Sequence, residues 1–157
     1  MIPNTIGTIR QMIQVVKTNT QTYSGPSNTL VDITGLSLAI SYQAGSKVRC
    51  QGLVYFGNIS NFAKVDLVRN VSGIDTVLAC GYGTSDGALV IDFIDTPSGQ
   101  TATYRLRLHN LDDNIGGNND TKVINPVTTG ANNTPALSPA TPNTPTSCLT
   151  LTEILNV

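Results

Sequence analysis

The stretch LSLAISYQ, residues 36–43, alternates apolar with small or polar side chains without a break. Leu36, Leu38, Ile40 and Tyr42 occupy every second position. A period of two sends successive side chains to opposite faces of a β-strand. The segment is therefore predicted to be a strand with one buried face.

The same alternation recurs along most of the chain. Residues 103–110 place Tyr104, Leu106 and Leu108 on one side and three polar residues on the other. We predict that Leu38, Ile40, Leu106 and Leu108 are buried. Further strands are predicted over 9–17, 29–33, 48–56, 63–69, 76–82, 88–94 and 148–155, with Gly, Pro, Ser and Asn in the turns between them. Residues 9–16 also fit a helix, but their Val and Thr neighbours favour a strand.

Eight or nine short strands at this spacing indicate an all-β fold: a sandwich, a jelly roll or a barrel. Residues 111–147 break the pattern, because five of the eight prolines lie there among Gly, Asn and Thr. A structureless connection of this length is unusual inside a compact domain. We interpret it as either a disordered loop or an arm that becomes ordered on a partner.

The predicted organisation is an N-terminal arm, residues 1–8, followed by one domain, residues 9–157, that carries the inserted loop 111–147. The apolar residues of the loop are candidate anchors on a partner. The predicted partner-binding residues are Ile115, Val123, Ile124, Val127 and Leu137.

Several strands are apolar on both faces. In an antiparallel sandwich one face of each strand is in contact with water and should be polar. In residues 48–56, Cys50 and Val54 take one face while Leu53 and Tyr55 take the other. Loops or the N-terminal arm could cover the second face, but an extensive apolar patch more often marks a subunit contact. The candidate trimer interface consists of Leu53, Tyr55, Leu78 and Tyr82.

Charge and targeting signals exclude several classes of function. Nine Lys and Arg face ten Asp and Glu, for a net charge of −1. The chain thus lacks the basic field that holds nucleic acid, and we expect no nucleic-acid partner. The N-terminus has no secretory pattern, and no apolar run approaches the roughly 18 residues of a membrane span. We expect no membrane partner and synthesis in a cytoplasm.

The cysteines and the histidine offer little chemistry. Cys50, Cys80 and Cys148 lie far apart with no CxxC spacing. A disulfide between two of them is an alternative, but the lack of a secretory signal favours free thiols. His109 follows Arg105 and Arg107 on one strand face, and neighbouring cations make it a poor general base.

Two further motifs are interpreted as turn or loop material. GTSDG, residues 83–87, is not followed by the helix that a nucleophile elbow needs. The loop alternates oxygen-bearing side chains that could bind calcium, but it lacks the closing Glu of an EF-hand: Asp112, Asn114, Gly116, Asn118 and Asp120. Asp92, inside a strand, could pair with an arginine or face solvent, and solvent is favoured. We therefore predict no enzyme, no catalytic residues, no cofactor and no metal.

Four segments resemble the small jelly-roll domains of tailed bacteriophages. They are IRQMIQVVKTNTQTYS (residues 9–24), TLVDITGLSLAIS (29–41), VIDFIDTPSGQTATYRLRL (90–108) and CLTLTEI (148–154). The resemblance covers nearly the whole chain and departs from the family in the longer insertion. It implies an antiparallel jelly-roll sandwich related to the C1q and tumour-necrosis-factor jelly rolls, which form trimers.

The resemblance implies two functions of different classes. One is a homotrimeric capsid cement, or decoration protein, that binds the major capsid protein on the capsid exterior of the virion. The other is a tail-fibre or spike tip that binds a host-surface receptor or glycan. A fibre tip usually follows a shaft, and no shaft repeat precedes residue 9. We therefore favour the cement protein, also because five per cent aromatic residues and no Trp offer little for sugar stacking.

Overall fold

The computed structural model describes residues 7–24, 29–57, 62–84, 87–110, 121–125 and 146–155. All of its regular elements are strands. They are β1 (Thr8–Lys17), β2 (Gln21–Ser24), β3 (Leu30–Ser41), β4 (Lys47–Gly57), β5 (Phe62–Val71), β6 (Ile74–Thr84), β7 (Gly87–Asp95), β8 (Thr101–Asn110), β9 (Thr121–Ile124) and β10 (Ser147–Leu155). Among the described residues no helix could cross a membrane.

The strands form two antiparallel sheets that pack face to face. Sheet A has the order β1-β10-β4-β7, with β9 and β2 continuing it at one end. Sheet B has the order β3-β8-β5-β6. The chain crosses from one sheet to the other at every connection except β1–β2, the β5–β6 hairpin and β9–β10, which is the arrangement of a jelly roll. The predicted all-β jelly-roll sandwich is confirmed.

The ten strands fill eight strand positions of the jelly roll, because two positions are each filled by two strands: β1 with β2, and β10 with β9. Phe56 of β4 pairs with Gly87 of β7 and with Ile124 of β9, so β9 lies on the side of β4 that β10 also occupies. In turn, β2 pairs with β9 as β1 pairs with β10. The predicted loop 111–147 is therefore corrected: β9 lies inside it, and β10 begins at Ser147.

The two strands predicted over 29–33 and 36–43 are one strand, β3. Its pairing with β8 shifts between Asp32 and Ser37, a bulge that coincides with the break in alternation at Thr34-Gly35. Gly35 has φ 85°, a left-handed conformation that glycine adopts without steric cost. The bulge keeps Ile33 and Leu36 both buried although they are three residues apart.

The core lies between the inner faces of the two sheets. Ile40, Leu106 and Leu108 are buried as predicted, whereas Leu38 is half-buried and packs against the core edge. Gly52 of sheet A leaves the room that Leu106 of sheet B fills, because a Cβ on Gly52 would meet Leu106 Cδ1 at 3.0 Å. The two sheets thus touch closely at their centre.

Buried polar groups also join the sheets. Asp95 of sheet A accepts hydrogen bonds from the Tyr104 hydroxyl at 2.8 Å and from Arg69 Nη1 at 2.9 Å, both of sheet B. Burial, followed by the contact with Asp95, raises the pKa of Tyr104. The carboxylate is satisfied by donors on the opposite sheet, so the contact fixes the relative position of β7, β5 and β8.

Glu153 is a second buried carboxylate, with no exposed surface. It accepts hydrogen bonds from Gln43 N (2.7 Å), Ser46 Oγ (2.9 Å) and Gln11 Nε2 (2.7 Å), and it pairs with Arg10. Burial alone would raise the pKa of Glu153, but these donors together hold it below its usual value. The turn between β3 and β4 is thereby tied to β1 and β10.

We expect Leu106→Ala to lower the free energy of unfolding by about 2–5 kcal/mol, since it removes a buried leucine from the contact between the sheets. Urea denaturation measures the loss. Ile9→Ala is the matched control, because Ile9 is 64% exposed and its truncation should cost under about 0.5 kcal/mol. Equal losses for both variants would mean that the inner faces are wrongly identified.

We expect Glu153→Gln to lower stability at pH 7 by about 1–3 kcal/mol, because the amide cannot accept all the donors that surround the carboxylate. A carboxylate whose pKa is lowered in the folded state contributes stability above its unfolded pKa and loses it as pH falls through the folded value. The gap between the parent and the variant should therefore narrow below about pH 4.5. A gap that stays constant down to pH 2 contradicts this account.

Candidate interaction surfaces

The outer face of sheet A is organised in rows that cross four strands. One row consists of Val16, Cys148, Leu53 and Val90, which are partners in consecutive strand pairs. Four residues along β1 a second row begins at Met12 and ends at Ile94. A polar row lies between them and includes Gln14, Thr150, Gln51 and Asp92, with Gln14 Nε2 donating to Thr150 Oγ1 at 2.8 Å.

The four corners of this face are exposed apolar side chains. Met12 is 67% exposed, Val16 48%, Val90 68% and Ile94 54%. At about 3.3 Å per residue and 4.8 Å per strand, they enclose roughly 13 by 14 Å. We call these four residues the sheet A patch. The polar row separates its two pairs, Val16 with Val90 and Met12 with Ile94.

Three further exposed apolar side chains lie along β6, at the free edge of sheet B: Ile74, Val77 and Tyr82, which are 71%, 50% and 61% exposed. Val77 and Tyr82 lie on the outer face, whereas Ile74 pairs with Val71 and lies on the opposite face. We call these three residues the β6 patch. Seven of the nine large apolar side chains that are exposed among the described residues thus belong to the two patches.

The candidate trimer residues do not form one continuous surface. Leu53 and Tyr55 are half-buried on the outer face of sheet A. Leu53 lies in the same row as Val90, and Tyr55 lies two residues further along β4. Tyr82 belongs to the β6 patch. Leu78 is half-buried and packs against this chain's own core, because a bulge in the β5–β6 pairing turns it inward.

The candidate partner-binding residues differ in location and burial. Ile115, Val127 and Leu137 lie outside the described residues. Val123 is half-buried on β9. Ile124 is corrected: it is 1% exposed and belongs to the core, because β9 completes sheet A beside Phe56. Its side chain is unavailable to a partner while β9 is folded. The alternation in residues 121–124 is too short to have revealed this from the sequence.

The two ends of residues 126–145 are held together on the sandwich. Ser147 Oγ donates to Asn125 Oδ1 at 2.6 Å, and Asn125 Nδ2 donates to the Lys17 carbonyl oxygen at 2.7 Å. The amide of Tyr55 donates to Ser147 Oγ at 3.0 Å, and Asn125 N donates to the Tyr55 carbonyl oxygen, also at 3.0 Å. We call Asn125 and Ser147 the clip. The chain leaves and rejoins sheet A at one point.

The charged side chains on the outer face of sheet B form ion pairs with one another. Arg105 contacts Asp32 and Asp75, and Asp66 contacts Lys64 at 3.0 Å and Arg107 at 3.8 Å. A hydrogen bond from Asn70, followed by Arg105, lowers the pKa of Asp75. Three Asp face two Arg and one Lys, so the face offers no net charge to a polyanion.

The thiols and other reactive groups are dispersed. The three cysteines are free, as favoured from the sequence; Cys50 is buried, Cys148 half-buried and Cys80 exposed. Burial, chiefly, raises the pKa of Cys50 to about 12, which keeps it protonated. Asp92 both faces solvent and pairs with an arginine, because it is exposed and accepts a hydrogen bond from Arg49 Nε at 2.9 Å. The described residues contain no group of three or more His, Cys, Asp or Glu that could hold a metal ion.

Comparisons with known proteins bear on the fold alone. The sequence matches no protein-family model and no curated protein. A chain of the infectious bursal disease virus Gt strain structure superposes with a TM-score of 0.57 at 9% identity, over 90% of this chain and 32% of that chain. This chain thus spans about a third of the viral chain's length.

Two further solved structures superpose less closely. A chain of the infectious bursal disease virus Gx strain gives a TM-score of 0.49 at 13% identity, over 92% of this chain and 40% of that chain. A chain of the disulfide-linked pili that form Bacillus endospore appendages gives 0.41 at 8% identity, over 96% and 93%.

We expect a variant in which a short Gly-Ser bridge replaces residues 126–145 to fold with the stability of the parent, because the clip already holds the two ends together and shortening a long loop changes its closure entropy little. Thermal unfolding followed by circular dichroism measures this. The longer deletion of residues 113–146 is the contrasting variant. It removes β9 and the core side chain of Ile124, so it should unfold at a clearly lower temperature. Equal melting temperatures for the two deletions would contradict the role of β9.

Proposed function

We propose that this protein is a virion structural protein, a homotrimeric capsid cement that binds the major capsid protein on the outside of the shell and stabilises it. The observation that carries the proposal is the pair of exposed apolar patches on an otherwise neutral jelly roll. A surface of this kind suits lasting contact with other protein subunits more than turnover of a substrate. The proposal includes no catalytic activity, no cofactor, and no nucleic-acid or membrane partner.

The fold supports a virion role in a general way. Jelly rolls are widely used in viral capsid domains, although lectin domains use them too. The superposition on a chain of infectious bursal disease virus is consistent with the first use. The capsid exterior as the location, and the host cytoplasm as the place of synthesis, are parts of the proposal.

The two patches support self-association. A closed ring of three copies uses a head-to-tail contact, in which each copy contributes two different surfaces. The sheet A patch and the β6 patch are two such surfaces, and one type of contact would cover both. A two-fold contact through either patch would leave the other one exposed. We therefore assign the sheet A patch of one copy to the β6 patch of the next.

The clip supports the attachment to the capsid. Asn125 and Ser147, which flank residues 126–145, are hydrogen-bonded to each other, so in the proposal the sequence between them can serve a partner without a cost to the core. In the proposal this segment, with Val127 and Leu137, contacts capsid subunits, together with Ile115 of the other segment outside the described residues. The deletion of residues 126–145 should then leave the trimer intact and weaken capsid binding.

Light scattering should give about three times the 16.6 kDa chain mass. The double variant Val90→Asp and Ile94→Asp should be monomeric, because it places two charges in an apolar contact from which water is excluded. Leu30→Asp is the matched control, since Leu30 is 46% exposed and lies outside both patches. A monomeric parent protein, or a trimer that survives the double variant, would overturn the assigned contact.

Cross-linking of the native cysteines tests which surfaces of two neighbouring copies are in contact. Cys148 lies in the same row as Val16 and Val90 on sheet A, and Cys80 lies on β6 two residues before Tyr82. A short bismaleimide should therefore link Cys80 of one copy to Cys148 of the next. Cys80→Ser and Cys148→Ser should each abolish the covalent link between copies. A two-fold contact through sheet A would instead leave a Cys148 link in the Cys80→Ser protein.

The number of copies per virion tests the role itself. Densitometry of purified particles against the major capsid protein should show hundreds of copies for a cement protein. A handful of copies would favour the alternative, a tail-fibre or spike tip that binds a host-surface receptor or glycan. One observation favours that alternative: a polar depression at the end of the sandwich opposite the clip, where Lys47 and Ile154 pair.

A further inference from the structure

Among the described residues, the buried side-chain atoms that lack a hydrogen-bond partner all lie on the outer face of sheet B. They are Asp66 Oδ1, Arg107 Nε and His109 Nδ1. Arg107 and His109 are two residues apart on β8, and Asp66 of β5 pairs with Arg107. Most buried polar groups in a folded protein are hydrogen-bonded, so a cluster of unpaired ones on a single face needs a physical explanation.

The unmet need of this cluster is for a hydrogen-bond acceptor. Asp66 Oδ1 already lies 3.0 Å from Lys64 Nζ. The Arg107 side chain is only 15% exposed, yet its terminal nitrogens reach Asp66 and Asp75 at 3.8 and 3.7 Å, which is too long for hydrogen bonds. His109 is half-buried beside it, and a protonated imidazole donates from both of its nitrogens. Arg107 Nε and His109 Nδ1 are therefore two adjacent donors without an acceptor.

An exposed apolar side chain borders these donors. Leu30 of β3 and Lys64 of β5 are the cross-strand partners of His109 on either side. Leu30 is 46% exposed and belongs to neither apolar patch. We call Leu30, Lys64, Arg107 and His109 the β8 site. A side chain that docks here would meet an apolar surface next to two cations and one imidazole.

The charges around His109 are balanced while the imidazole is neutral. The charged and titratable groups that face it are Lys64, Arg105 and Arg107, the carboxylates Asp32, Asp66 and Asp75, and the β6 residues Cys80 and Tyr82. A further carboxylate would leave the face with one negative charge in excess. Protonation of His109 would cancel that charge, and histidine is the side chain that gains a proton most readily near neutral pH.

We propose that the β8 site binds the carboxylate of an acidic side chain on a protein partner, and that His109 takes up a proton when it does so. Side chains two residues apart on one strand face are about 6.6 Å apart at Cα, so one carboxylate can accept from both Arg107 Nε and His109 Nδ1. An apolar neighbour of the acidic residue would pack on Leu30. A polyanion fits poorly, because the three carboxylates of the face repel any further charge.

This interaction goes beyond the cement role and does not require the trimer contact. Tyr82, which pairs with Lys64 on β6, belongs to the β6 patch and lies outside the β8 site. The two surfaces can therefore be occupied by different partners, and substitutions at Leu30 test one without altering the other.

The test is an NMR titration of the full chain with the peptide acetyl-Leu-Asp-Leu-amide, read at His109, the single histidine of the chain. The peptide should bind with a dissociation constant in the millimolar range at about pH 5.5, and about tenfold more weakly at about pH 8, where an imidazole is neutral. Acetyl-Leu-Asn-Leu-amide, which lacks the carboxylate, is the matched control peptide and should leave the histidine resonances unchanged.

Two substitutions at one position separate charge from shape. Leu30→Asp places a carboxylate beside Arg107 and His109, so it should compete with the peptide and weaken its binding about tenfold or more at the lower pH. Leu30→Asn has the same shape without the charge and should still bind the peptide more tightly at the lower pH. His109→Gln should bind it equally at both pH values. Melting temperatures equal to that of the parent show that the variants are folded.

Three results would overturn the proposal: no shift of the histidine resonances by the acidic peptide up to about 50 mM, equal binding of the two peptides, or equal affinity at the two pH values. Binding that emerges only in the double variant Asp112→Asn and Asp113→Asn would overturn the partner, because the chain's own carboxylates would then occupy the β8 site. Leu30→Asp should keep the trimer mass, so failure here is distinguishable from failure of the cement proposal.

Discussion

The contact between Leu106 and Gly52 at the centre of the sandwich is the constraint on which the rest of the structure depends. Alternate side chains of β4 and β8 can interdigitate only where one sheet supplies a leucine and the other leaves room for it. This contact sets which face of each strand is inner. It therefore also decides which residues form the outer rows that carry the apolar patches.

Buried polar groups then position the parts that the apolar core leaves undetermined. Asp95 locks β7 to the opposite sheet, Glu153 ties the β3–β4 turn to β1 and β10, and the clip joins β9, β10 and β1. Each is satisfied by donors or acceptors from segments far apart in sequence. A buried hydrogen bond is directional in a way that apolar packing is not. Such groups give the ends of the sandwich a defined shape.

Function, in our proposals, is distributed over surfaces that the core does not need. The two patches and the polar depression lie on different parts of the molecule. The exposed apolar residues could change in sequence with little effect on the sandwich, whereas the depression shares Tyr42 with the core. This separation suits a scaffold whose stability is independent of its partners.

The sequence alone determined the fold class and most strand positions, because a period of two is a local property of the chain. It predicted the inner face of β8 and the apolar character of both faces of β4. It could not reveal β2 and β9, which are four residues long and are strands only because they extend paired partners.

The tertiary structure decided which apolar residues are exposed and which are buried. Ile124 and Leu78 are apolar, as residues of a subunit contact often are. The strand register places Ile124 in the core, and a bulge turns Leu78 toward it. The depression joins residues 10, 41–44 and 100–101, whose proximity no local pattern encodes. Exposure depends on which strand lies opposite, and that is fixed by long-range pairing rather than by neighbours in the sequence.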